Sequence, residues 1–293
     1  MRINIVGAFI RNAPFGTEIA FQKGLQRLGG HDLTLIDTSY PDQQWDYDAD
    51  LTIVFKWMEG YWEDLQRCGG KRVVYQPDDL RFPHIQQMMR DMRRYCDMAL
   101  TFDDDGARMA RDFGYRDARK LLLTADDELY RNLSLIRDIP ICFIGSLTGG
   151  PNHASRLRMC QIIQREFPGK FLCLSDVYDI ERIVIVYNRS KVVVNHATDV
   201  GQEFGTGYGY QCRHFEAGLT GAAVLSNKVL NGDELKNIEV FSNEDELVHQ
   251  LHTLTDLFVN ESGHHLYHEL KMSHLPQHRA TEMLQKISEM SCV

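Results

Sequence analysis

The chain has 293 residues, long for one domain and enough for two cores of about 140 residues each. It is 43% hydrophobic and 25% charged, and its net charge of −9 is spread over both halves, with 19 Lys+Arg against 23 Asp+Glu in residues 1–138 and 13 against 18 in the rest, so neither half advertises a nucleic-acid footprint. No apolar run approaches the roughly 20 residues that span a bilayer, and seven cysteines, an odd number without C-x-x-C spacing, point to reduced thiols in the cytoplasm.

Residues Met1–Phe9 read as a buried strand with no preceding signal peptide, followed by a loop through Pro14 and Gly16. A helix over Thr17–Leu28 follows, with Thr17 as its N-cap and Gly29-Gly30 as its stop. Strands are expected at Leu33–Asp37, Leu51–Phe55, Arg72–Gln76, Met98–Phe102 and Lys120–Leu123, with helices over Tyr61–Gln66, His84–Tyr95 and Asp104–Phe113. Residues 126–138 read as a polar connection. Beyond it come strands at Ile141–Gly145, Lys170–Leu174 and Val192–Asn195, and helices from His153 or Ala154 to Glu166 and over Ile180–Asn188. Gly205–Gly209 is expected as a flexible loop, Arg213–Leu219 as a helix, Ala222–Leu225 as a buried strand and Glu244–Leu254 as an amphipathic helix. Residues 264–290 read as helical with a break at Pro276. Such alternation predicts an α/β chain of two Rossmann-like domains facing across a cleft: 1–135, then 139–275, with a C-terminal helix over 276–293 that can pack back on the first.

Gln202–Asn227 is the stretch best suited to a ligand. A glycine-rich loop, here through Gly207, lets backbone N–H groups approach an anion, and Arg213 and Glu216 sit at the start of the next helix. There an arginine can hold a phosphate in a two-pronged grip and a carboxylate can accept two ribose hydroxyls. The competing reading is a turn with a surface i, i+3 pair.

The segments FIGSLTGG, SRLRMCQII, VYNRSKVVVNHA, RHFEAGLTGAAVLSN and FSNEDELVHQL, in that order and spacing, resemble the C-terminal domain of GT-B glycosyltransferases. The likeness is greatest to the CgeB-like, glycosyltransferase group 1-like family. GTEIAFQKGLQRLGGHDLTLID and CDMALTFDDDGARMARDFGYRDARKLLLTADDELY are similar to that family's N-terminal domain. The resemblance implies transfer of a sugar from a nucleotide-diphosphate sugar, a UDP sugar, as cosubstrate, with no further cofactor and no metal. It assigns the donor ribose to Glu216, and the diphosphate to Arg213 and, on the helix after Gly145-Ser146, to Arg156. Many members carry a second glutamate about seven residues before the ribose acid; here Tyr208 stands eight before Glu216, and the nearest upstream acid is Glu203. His196, after a buried strand, is a candidate contact to donor sugar or acceptor, the alternative being packing.

An inverting transferase also needs a base for the acceptor hydroxyl. Asp78 and Asp79, in a loop at a strand's carboxyl end, and Glu18 on the first helix are the candidates. Against them stand an Asx-type turn for the pair and a macrodipole-favoured helix acid for Glu18. The acceptor stays open among small molecule, glycan, protein and a hydroxymethylated base in DNA. Nine basic residues in 81–120, offset by seven aspartates, keep the DNA acceptor in view. A non-catalytic two-domain ligand-binding protein is the remaining alternative. The histidines at 264, 265, 268, 274 and 278 lack a cysteine or acidic partner at metal-site spacing and read as a solvated helix face.

Overall fold

The computed structural model describes all residues except 15, 41–42, 57–60, 148–152, 198–203, 254–255 and 291–293. The chain divides into two compact units, Met1–Asp126 with Leu275–Val293, and Asp127–His274. In the first unit the strands β1 (Arg2–Gly7), β2 (Asp32–Asp37), β3 (Leu51–Phe55), β4 (Lys71–Gln76), β5 (Met98–Thr101) and β6 (Asp117–Lys120) form one sheet in the order β2-β1-β3-β4-β5-β6. Every pairing is parallel, with Val6 opposite Val54 and Phe55 opposite Tyr75. All five residues of β3 are buried. An unbroken apolar run of this kind is what a strand needs when helices cover both faces of its sheet.

The helices are α1 (Thr17–Leu28), α2 (Trp62–Arg67), α3 (Pro83–Met92) and α4 (Asp104–Asp112). Ile85, Met89 and Met92 bury one stripe of α3 in the core of the unit. Asp103 caps α4 by accepting from the N–H of Gly106 at 2.6 Å. At α1 the N-cap is Gly16, without a side-chain cap, and Thr17 is the first helical residue instead of the expected cap. The last strand also differs from the reading: Asp117–Lys120 pairs with Met98–Thr101, while apolar Leu121–Leu123 is buried beyond the ladder. Periodicity registers burial there, and ladder pairing begins a few residues earlier.

In the second unit β7 (Ile139–Ile144), β8 (Phe171–Leu174), β9 (Ser190–Asn195), β10 (Thr206–Tyr208), β11 (Ala223–Leu230) and β12 (Glu239–Phe241) form a parallel sheet in the order β10-β11-β9-β7-β8, with β12 on β11. Its helices are α5 (Ala154–Glu166), α6 (Ile180–Arg189), α7 (Cys212–Leu219), α8 (Glu244–Thr253) and α9 (Asp256–Ser273). The stretch read as a flexible glycine loop contains β10, whose three residues pair with Lys228–Leu230. A three-residue strand with two small side chains leaves no periodic signal; the long β11 supplies the template. His264, His265 and His268 are exposed on α9, whereas His274 is buried against Phe215.

The last helix, α10 (Pro276–Ser288), returns to the first unit and packs on α1. Gly24 makes that crossing possible, since a Cβ there would stand 2.3 Å from the carbonyl oxygen of Pro276. Arg119 pairs with Glu289 at 2.7 Å, and Lys71 donates to the carbonyl of Ile287 at 2.8 Å, holding the end of α10 to the same unit. No helix among the described residues is long and apolar enough to cross a membrane.

Candidate functional site

The carboxyl ends of β7 and β9 and the start of α7 meet at one edge of the second sheet, the edge where parallel α/β sheets hold ligands. α7 begins at Cys212 with a capping box between Gln211 and His214. Phe215 and Leu219, one turn apart, are buried and hold the helix down, and Arg213 and Glu216 project from its first two turns.

Glu216 is engaged by two tyrosines. The Tyr187 hydroxyl donates to its Oε2 at 3.5 Å, and the Tyr130 hydroxyl also hydrogen-bonds to the carboxylate. Burial pushes the Glu216 carboxyl above the ordinary range, opposed by the charge of Arg213 and by the two tyrosines. Burial raises the tyrosines as well, with the Glu216 charge next in effect, so both hydroxyls stay protonated donors. Two fixed donors orient the carboxylate and leave its other lone pairs for two hydroxyls of a ligand.

Arg213 lies across Gly145, the residue that follows β7. A Cβ at Gly145 would be 3.0 Å from the guanidinium carbon, so the arginine can occupy this position because the residue below is glycine. Among the described residues no side chain or backbone oxygen hydrogen-bonds to Arg213, and none forms an ion pair with it. Its fork of donors is thus open to an anion. Arg156, in the first turn of α5, donates through Nε to the carbonyl of His196 at 3.3 Å, so α5 is tied to the residue after β9.

His196 itself is fully buried, packed against Phe204 and Phe241, with Nδ1 2.9 Å from the carbonyl of Ala197. Ser146 is half-buried beside Gly145. Gly207 lies inside β10 opposite Val229, in a buried strand position where a loop was expected. Glu203 falls outside the described residues.

His214 is fully buried, and burial pushes its imidazole down to about 4. The unfolded chain therefore binds a proton near the ordinary value of about 6.5 and the folded chain does not. The contribution of this histidine to stability is complete above about pH 6.5 and is lost as pH falls toward 4. Urea midpoints measured across that window are expected to fall more steeply for the wild type than for His214→Asn. Glu216 titrates in the opposite sense, its raised carboxyl favouring the fold at low pH, so the difference between the two proteins is the diagnostic quantity.

The first unit places the remaining carboxylates at the carboxyl ends of its own strands. Asp78, part-exposed, pairs with Lys56 at 3.2 Å. Asp79 is 3% exposed and accepts from Arg81 at 2.7 Å through the side chain and 2.9 Å through the backbone. Glu18 is 2% exposed, accepts from Asn12 Nδ2 at 2.6 Å and packs on Gly7 and Gly16. It is a buried acid in the first turn of α1, where the helix macrodipole favours a carboxylate.

Tyr130, Tyr187 and His214 are the residues of this site that sequence reasoning missed. Tyr187 stands in the quoted VYNRS segment, which was a usable signal. Tyr130 lies in the stretch taken as a polar connection and reaches Glu216 through the fold alone. That stretch is anchored by Asn188, which accepts from the N–H of Leu133 at 2.7 Å, and by Arg137, which donates to the carbonyls of Ser190 and Thr220 at 2.6 and 2.7 Å.

A family described as "Glycosyl transferase-like" matches residues 158–285. No curated protein matches the chain. Among solved structures, the N-terminal domain of Candida albicans trehalose-6-phosphate phosphatase superposes with a TM-score of 0.68 at 8% identity, covering 99% of this chain and 97% of that one. Anabaena HepE, solved with UDP and glucose, gives 0.59 at 12% identity over 99% and 100%. A DNA-modifying β-glucosyltransferase, studied with and without uridine diphosphoglucose, gives 0.59 at 10% over 99% and 99%. The fold is that of the GT-B glycosyltransferases. The family match lies over residues 158–285, from α5 to α10.

Proposed function

We propose that the chain transfers a sugar from a UDP sugar to a hydroxyl acceptor, with the donor nucleotide held by the second unit. The observation that carries this is the pairing of Glu216, oriented by Tyr130 and Tyr187, with an open Arg213 three residues earlier on the same helix. Glu216 accepts the two ribose hydroxyls. Arg213, with Arg156 from α5 and the backbone at Gly145 and Ser146, faces the diphosphate, and His196 borders the sugar. As the glycosidic bond breaks, negative charge gathers on the departing diphosphate, so fixed cations there favour the transition state over the bound donor. The arginines supply that charge without a metal. That HepE and the β-glucosyltransferase were studied with UDP or its glucose ester supports the choice of nucleotide.

Asp78 is the base we assign to the acceptor proton. Asp79 is occupied by Arg81 and Glu18 by Asn12, whereas Asp78 keeps access to water beside Lys56. Calorimetric titration with UDP is expected to give saturable binding, and incubation with UDP sugars slow release of free sugar without acceptor. Asp78→Asn should keep the binding and lose about 10²–10³-fold in turnover. Absence of UDP binding would overturn the proposal, and binding without any hydrolysis or transfer would leave a ligand-binding protein instead.

A hydroxymethylated base in DNA as acceptor is favoured by the likeness in fold to the DNA-modifying enzyme. Three arginines of residues 81–120 lie away from Asp78. Arg93, Arg94 and Arg116, with Arg72, line a cavity of about 630 Å³ at the amino ends of β4–β6, the opposite end of the strands from Asp78. Gel shifts with duplex DNA over a salt series test this acceptor, and absence of binding at low salt removes it.

A further inference from the structure

We infer that His214 is a positioning residue that locks Arg213 and Glu216 in their ligand-ready places by joining the start of α7 to the ends of β9 and β11. The inference rests on the donor site proposed above and adds the part that holds it in shape.

Nδ1 stands 2.8 Å from the backbone nitrogen of Gln211 and 3.0 Å from its carbonyl oxygen, so this end of the ring meets the N-cap in either tautomer. Nε2 faces Ser226 Oγ at 2.9 Å, and because the Ser226 hydroxyl donates onward to Asn227 Oδ1, its oxygen accepts from Nε2–H. Ser226 passes its own hydroxyl proton to Asn227 Oδ1 at 3.3 Å, and that oxygen also accepts the N–H of Ala197 at 2.6 Å. The Asn195 amide nitrogen is 3.1 and 3.0 Å from the two ring nitrogens. Equal distances of that size put it over the ring face, on neither nitrogen's in-plane axis, so it does not compete for the tautomer. Tyr210 closes the other side, edge-on, with centroids 5.4 Å apart.

The chain of donors therefore runs from the N-cap of α7 through His214 and Ser226 to the backbone after His196. It joins α7, which carries Arg213 and Glu216, to β11 and to the segment after β9 that carries His196. Neutral imidazole accepts at one ring nitrogen and donates at the other, on opposite edges of one rigid plane. The charged and titratable groups around it are Arg213 and Cys212 on its own helix and Tyr210 before it. From β9 and β11 it meets Asn195 and Ser226, which do not titrate. Protonation would put a proton on Nδ1 as well, turning it from the Gln211 N–H to the Gln211 carbonyl and shifting the first bond of the link.

Two variants break the link at one bond from its two sides. His214→Asn keeps an acceptor for the Gln211 N–H and loses the bond to Ser226, and Ser226→Ala loses the same bond from the other side. UDP affinity, measured by calorimetry at least 15 °C below each protein's melting temperature, is expected to fall about 5- to 20-fold in each. The double variant should be no weaker than the worse single one, because both remove one interaction. Weakening of wild-type UDP binding as pH falls from about 5 to 4, where His214 gains its proton, should be blunted in His214→Asn. If the wild type binds UDP and both variants bind it equally well, or if the two losses multiply, the positioning role is wrong. If the wild type itself does not bind UDP, the donor-site reading fails first.

Discussion

Glu216→Ala is expected to weaken UDP binding by about 10²-fold, the scale of two hydrogen bonds from ribose hydroxyls to one ionised acceptor. The loss should fall on the nucleoside part: inorganic diphosphate, which has no ribose, should bind wild type and variant alike through Arg213 and Arg156. Stability should move by less than about 2 kcal/mol, because two effects oppose. Removing a buried carboxylate relieves its desolvation, while the hydroxyls of Tyr130 and Tyr187 lose an acceptor. Glu216→Gln keeps the shape and one acceptor oxygen and should lie between the two. Unchanged affinity for UDP in Glu216→Ala would mean that the ribose is held elsewhere, and the site built on α7 would have to be abandoned.

Arg81→Met is expected to destabilise the first unit by roughly 3–5 kcal/mol, read as a lower urea midpoint. Arg81 is only 11% exposed in its side chain and holds three carboxylates: Asp79 at 2.7 Å, Asp103 at 3.1 Å and Asp105 at 3.4 Å. Methionine retains most of the stem volume, so the loss is that of charge and hydrogen bonds, leaving buried acids without their counter-ion. Burial already pushes the Asp79 carboxyl up, and Arg81 is what pulls it down. Without the arginine it rises further. A carboxyl raised in the folded state favours the fold below its unfolded value of about 3.9 and disfavours it as pH rises. The deficit of the variant should therefore grow from pH 5 to pH 8, and Arg81→Met/Asp79→Asn should recover part of it. A deficit independent of pH would assign the effect to packing alone.

The reasons the site was only partly legible are visible in individual residues. Glu216 and Arg213 were readable because a short helix after a glycine-rich turn places i and i+3 side chains together through local geometry. Gly145 was readable as a strand end, but its contact with Arg213 joins residues 68 positions apart, and nothing local encodes it. Asp78 and Asp79 look equivalent as a tandem pair. The fold separates them, one toward Lys56 and water, the other into the grip of Arg81. Asp103 likewise caps its own helix, as a local motif should, and in addition pairs with Arg81 from 22 residues away.

By itself the sequence determined the α/β architecture, since buried parallel strands must be apolar along their length and the helices between them must be amphipathic, and both patterns are local. It also determined the position of α7 and the residue types at its start. Only the tertiary structure decided what surrounds them. Tyr130 comes from a stretch with no periodic signal, Tyr187 from α6 and Ser226 from β11. They meet because a parallel sheet brings the carboxyl ends of strands distant in sequence to one edge, where side-chain hydrogen bonds depend on distance in space and not on spacing along the chain.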